Sequence, residues 1–141
     1  MILYLGPSSL IKLYVQDEDS EMVRRWVHEA EIVAVCRVAY AEIAAALDAR
    51  HKGGDFSTKD YNRVVSAFAD DWAHLAVVDF DDIEAGRLVR KYGLHRMAAI
   101  HLSAVLLVKK SAKGLDLAFS SADVDLCRAA AAEGLRVMKL S

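Results

Sequence analysis

Cysteine is scarce: 141 residues contain two, Cys36 and Cys127. They stand far apart in apolar surroundings, which suits buried thiols in a reducing cytoplasm better than a disulfide framework. So few thiols also give no basis for a cysteine-built zinc site. Long hydrophobic runs are missing as well. The longest apolar-rich stretch, residues 97–108, is interrupted by His101 and closed by Lys109 and Lys110, which is too short to cross a bilayer. No basic leader opens the chain, so neither a signal peptide nor a membrane partner is expected, and the expected location is cytoplasmic. Charge of one sign is not in excess either: the formal net charge is −2 and the pI about 6.2, so no global field draws the chain onto nucleic acid. RNA can still be met at a local basic patch or through a bound metal. Linkers, internal repeats and low-complexity tails are absent. With 55% hydrophobic and 27% charged residues, the composition matches one compact domain, 1–141.

What is present is an alternation of short apolar strands with helices. Residues 2–5 read as a first strand ended by Gly6-Pro7, with Ser8 placed to cap the helix that follows. A helix over 20–30 repeats Met22, Val23, Trp26 and Val27 at helical spacing and leads into a strand at 32–36. Alanine-rich residues 40–50 return to helix and stop at Gly53-Gly54. Ser57 followed by Asp60 resembles a capping box, and the helix it opens buries Tyr61, Val64, Val65, Phe68 and Trp72. A strand over 75–80, a helix from Asp81 or Asp82 towards Tyr92, and an apolar helix over 96–109 come next. A strand at 117–120, a helix over 123–133 and a strand at 135–138 complete the chain. Strands this apolar are buried on both faces, so the expected class is α/β: a mostly parallel central sheet of four or five strands with helices on either side.

Ligands of such sheets gather beyond the carboxyl ends of the strands. That rule selects Gly6, Pro7 and Ser8 after the first strand, and Ser120, Ser121 and Asp123 after the strand at 117–120. Glu42 stands in the first turns of an otherwise apolar helix. It serves either as a site acid or simply as a favourable charge at the positive helix end. Asp123 has the same two readings, since a helix N-terminus takes an acid for capping alone. Their combination at one sheet edge is what makes them a candidate pair.

Four segments carry a family resemblance. YLGPSSLIKLY, residues 4–14, resembles the opening strand, Asp-Thr/Ser-Ser segment and helix of the PIN-domain ribonucleases, particularly the VapC-like toxin subunits of bacterial toxin-antitoxin modules. Gly6 stands where the first metal-binding Asp belongs. YAEIAAAL, residues 40–47, resembles the segment that carries the acid on the third helix and keeps it as Glu42. GLHRMAAIHLSAVL, residues 93–106, resembles the segment whose helix presents an Asp, and Ala98 stands at that acid while Ala99, Ile100, His101 and Leu102 keep the frame. The last segment, residues 117–137, keeps Asp123 at the terminal acid, with Asp125 two residues later.

The resemblance implies a PIN-like three-layer sandwich. It also implies a cluster of acids holding Mg²⁺ or Mn²⁺, which activates water and neutralises charge at a scissile RNA phosphodiester. Here Glu42, Asp123 and Asp125 are the implied metal ligands, with Glu42 and Asp123 the catalytic acids. With two carboxylates missing at Gly6 and Ala98, RNA cleavage is expected to be impaired or absent. The alternatives are a noncatalytic RNA- or protein-binding domain and a residual one-metal ribonuclease. Family members commonly dimerise and bind a small antitoxin, so a homodimer and a cognate antitoxin are the implied partners. His101 cannot replace an acid for magnesium, which prefers oxygen. It lies one helical step from Ala98, either reaching a phosphate or water there, or sitting partly buried and bonded to backbone or solvent. Arg24-Arg25 and Lys109-Lys110 with Lys113 are either phosphate contacts or ordinary solvated charge.

Overall fold

A computed structural model describes residues 1–140. Its centre is Ile2–Leu5 (β1), four apolar residues buried along their whole length. Pairing on both edges satisfies its backbone: β1 runs parallel to Ile32–Cys36 (β2) with Ile2 opposite Ile32, and parallel to Leu117–Ser120 (β4) with Ile2 opposite Leu117. The short strands Ala76–Val78 (β3) and Arg136–Met138 (β5) close the edges, giving one five-stranded parallel sheet in the order β3-β2-β1-β4-β5.

Successive strand residues point to opposite faces, and the core divides accordingly. Ile2 and Tyr4 join Ala34, Cys36 and Phe119 on one face, under the helices Asp82–Tyr92 (α5), Arg96–Ser111 (α6) and Val124–Ala132 (α7). Leu3 and Leu5 join Val35 and Ala118 on the other, under Pro7–Leu10 (α1), Ser20–Glu29 (α2), Ala39–Lys52 (α3) and Thr58–Trp72 (α4). A single 3₁₀ turn, Ile11–Leu13, links α1 to the loop before α2. The expected three-layer α/β sandwich is therefore present.

Local chemistry sets most boundaries. Ser57 accepts a hydrogen bond from the Asp60 amide and starts α4, Asp81 does the same for α5 through the Glu84 amide, and Asp123 for α7 through the Leu126 amide. Gly93 ends α5 in the left-handed region, φ 66°, a conformation that glycine adopts without steric cost. One expectation is corrected: Ser8 does not cap α1. Pro7 begins that helix with Gly6 as an N-cap that offers no side chain, its carbonyl accepting the Ser9 and Leu10 amides. The Ser8 hydroxyl instead accepts the Ala122 amide and lies 3.1 Å from Ser121 Oγ, stitching α1 to the loop after β4. The strand expected over 75–80 is also shorter, because its outer residues gain no partner at the sheet edge.

Candidate functional site

Gly6, Glu42 and Asp123 follow β1, β2 and β4, three neighbouring strands, at their carboxyl ends. Gly6 has extended backbone, φ −68° and ψ 162°, and a Cβ there meets Ser120 O at 3.4 Å and Ser121 Oγ at 3.6 Å. That position therefore borders the loop that carries Asp123. Beneath it the hydroxyls are paired: Ser9 Oγ lies 2.8 Å from Ser120 Oγ, and Ser121 Oγ accepts the Asp123 amide.

The fourth position, Ala98, sits in the first turn of α6 and is 2% exposed. His95, Ala98 and His101 follow one another at three-residue steps, so they share one ridge of the helix. The two histidines take the two remaining acids. His101 Nε2 lies 2.7 Å from Glu42 Oε1, and His95 Nε2 lies 3.4 Å from Asp123 Oδ2. His95 also uses Nδ1 to accept the Ala98 amide, capping α6. Asp123 Oδ1 is spent on capping α7, and Asp125 stands exposed in the first turn of the same helix.

The expected surroundings of His101 need correction. The side chain is 1% exposed, and both ring nitrogens face other side chains. Its Nδ1 lies 3.0 Å from the Tyr4 hydroxyl, its Nε2 faces Glu42, and the chain Tyr4–His101–Glu42 joins the central strand to both helical layers. Burial, reinforced by the nearby Cys36 and Glu42, holds the Tyr4 phenol well above its ordinary pKa and therefore protonated. Burial likewise pushes the free Cys36 thiol up. Sequence reasoning had missed Tyr4 and His95. The periodic placement of His95 about Ala98 was a readable signal, whereas nothing local marks Tyr4.

As a metal centre the donor set falls short. Among the described residues no group of three or more His, Cys, Asp or Glu side chains is gathered closely enough to hold an ion. Hard divalent cations want several oxygens at once. Glu42 already bonds His101, and Asp123 already caps a helix end. Of the basic residues proposed for phosphate, Lys109 donates to the Glu133 carbonyl and Arg24 to Gln16, while Arg25, Lys110 and Lys113 are exposed. Among the described residues no helix is long and apolar enough to cross a membrane.

The five-stranded parallel sheet flanked on both faces, with its acids beyond the strand ends, is a PIN-like fold. The chain resembles VapC ribonucleases: it is 26% identical over 110 residues, 76% of each protein, to Ribonuclease VapC45 and Ribonuclease VapC49 of Mycobacterium tuberculosis. No protein-family model matches it. Among solved structures, VapBC2 from Rickettsia felis, bound to a DNA fragment from its promoter, superposes with a TM-score of 0.65 at 14% identity, covering 98% of both chains. FitAcB from Neisseria gonorrhoeae superposes at 0.64 and 15% identity, covering 99% of this chain and 97% of that one. PAE2754 from Pyrobaculum aerophilum gives 0.64 at 17% identity over 92% and 84%. These structural likenesses define the shared fold.

Proposed function

We propose that the chain is a VapC-like protein of a toxin-antitoxin module, built on the frame of a divalent-metal endoribonuclease, in which RNA cleavage is impaired or absent. The observation that carries this reading is the state of the four acidic positions. Two are Gly6 and Ala98; of the retained acids, Glu42 is hydrogen-bonded to His101 of α6, and Asp123 caps α7 with His95 Nε2 3.4 Å from its Oδ2. A phosphodiester-cleaving centre needs several carboxylates around Mg²⁺ or Mn²⁺ to fix the ions and the attacking water. Losing about 4 kcal/mol of transition-state stabilisation slows turnover roughly a thousandfold. Glu42, Asp123 and Asp125 are the residues left to hold an ion, and they supply too few converging oxygens to fix its geometry.

The similarity to VapC ribonucleases supports a cognate antitoxin and an RNA-related role, and a homodimer is the oligomer proposed with it. A noncatalytic RNA- or protein-binding role uses the same intact fold and needs no metal. The test is a cleavage assay on highly purified protein with a Mg²⁺ and Mn²⁺ titration, a chelator control and Glu42→Ala. Cleavage at least about a thousandfold below that of an acid-complete relative, unchanged by chelator, is expected. Robust chelator-sensitive cleavage abolished by Glu42→Ala would overturn the reading.

A further inference from the structure

His101 is 1% exposed, so it cannot itself meet a ligand of the cleft, yet both of its ring nitrogens are engaged. A carboxylate can accept hydrogen bonds and cannot donate them, while a protonated phenol can donate. With Glu42 Oε1 at 2.7 Å from Nε2 and the Tyr4 hydroxyl at 3.0 Å from Nδ1, a neutral ring satisfies both partners with its proton on Nε2 and its lone pair on Nδ1. We propose that Tyr4 and His101 are positioning residues for Glu42: the Tyr4 hydroxyl donates to His101 Nδ1, this fixes the Nε2–H tautomer, and Nε2–H holds the carboxylate in one orientation. The assignment rests on the reading of Glu42 as a retained acid of the cleft, and it names two residues that act on that acid from behind.

The physical gain is pre-organisation. Held only by its own helix, a glutamate in the first turn of α3 samples several rotamers, and each must be given up when a ligand arrives. Here the carboxylate is referenced to β1, the central strand, through an imidazole packed in the core. Tyr4 is itself fixed, fully buried beside Phe119 with ring centroids 5.8 Å apart. Asp123 has no such anchor, since His95 is 68% exposed and its Nε2 only approaches Oδ2 to 3.4 Å. Partners behind metal-binding or reactive groups commonly set affinity by 10- to 100-fold without touching the ligand.

The experiment is a long-range ¹H–¹⁵N correlation spectrum of the imidazoles in the full-length ¹⁵N-labelled chain, with Tyr4→Phe and Glu42→Ala beside the starting protein. A single Nε2–H tautomer at His101 is expected, turning into a mixture when either partner is removed. An Nδ1–H ring, a doubly protonated ring, or a tautomer ratio that neither variant changes would overturn the proposal. A double-mutant cycle by urea unfolding adds a second readout. Tyr4 and Glu42 hydrogen-bond opposite nitrogens of the same His101 ring, so an effect transmitted through it should appear as a coupling of at least about threefold in the folding equilibrium constant, and purely multiplicative effects would count against it. Cleavage measured on the same samples is read separately: chelator-sensitive activity alongside an intact Nε2–H tautomer would remove the functional reading and leave the relay standing.

Discussion

At Gly6 the extended backbone and the 3.4 Å distance to Ser120 O mean that a Cβ can be added at ordinary van der Waals contact. Gly6 is itself buried, so Gly6→Asp is expected to cost about 1–3 kcal/mol in the absence of cations through desolvation of the new carboxylate. Ala98→Asp meets the same cost, because a carboxylate placed at a site 2% exposed needs a partner, even between two histidines of the same ridge. It should cost about 1–3 kcal/mol in the absence of cations. The two replacements together should create affinity for Mn²⁺, so that the midpoint of thermal unfolding of the double variant rises as Mn²⁺ is added while that of the starting protein stays flat; an ion at a hundred times its Kd stabilises by about 2.7 kcal/mol. A well-folded double variant with no such rise would show that the missing acids are wrongly located. Removing His101 tests the core side of the same ridge. His101→Leu leaves the Tyr4 hydroxyl buried without its partner and should cost about 2–4 kcal/mol by urea unfolding.

Elements were legible where one local rule decided them. The apolar runs of β1, β2 and β4, the Ser57 and Asp81 caps and the Gly93 stop are all written in a few adjacent residues, and each appears as expected. The same signals were misleading where a distant partner competed. Ser8 has the right chemistry for a cap, yet its hydroxyl is engaged by Ala122 and Ser121, more than a hundred positions away. His101 looked like an isolated polar residue on an apolar helix because its partners are 97 and 59 residues distant. Position along a strand indicates which end of the sheet an acid occupies but not which side chain it bonds, so the acids could be named whereas their histidines could not. At this scale Ser57→Ala should destabilise by about 1 kcal/mol, seen as a lower urea midpoint at unchanged slope.

Across the whole molecule, one charge cluster ties α5 to the end of α7. Glu133 accepts from Tyr92, Arg87 and Lys91, while Lys109 of α6 donates to its carbonyl. The Tyr92 hydroxyl, with Arg87 and Lys91, holds the Glu133 carboxyl at about 2, below its ordinary 4.5. A carboxyl lowered in the folded state stabilises fully above its unfolded value and loses that contribution as pH falls towards the folded one. Glu133→Gln should therefore cost about 1–2 kcal/mol at pH 7, and the difference from the starting protein should shrink between about pH 4.5 and 2. Urea unfolding at pH 7, 4 and 2.5 reads this directly, and a difference that stays constant across the three would contradict it.

The strand order also dictates when the molecule can become whole. β1 is made first, yet one of its two edges waits for Leu117–Ser120, whose register places Leu117 opposite Ile2. A nascent chain that has reached α6 still has its central strand open on one side, exposing the backbone groups of a strand that is fully buried in the folded protein. Closing a loop of more than a hundred residues before that contact stabilises anything makes the final step slow compared with the local helix pairs. A ribosome-bound fragment ending before β4 should remain protease-sensitive and bind holdase chaperones, and protection should arrive abruptly once β4 has cleared the exit tunnel rather than accumulate helix by helix.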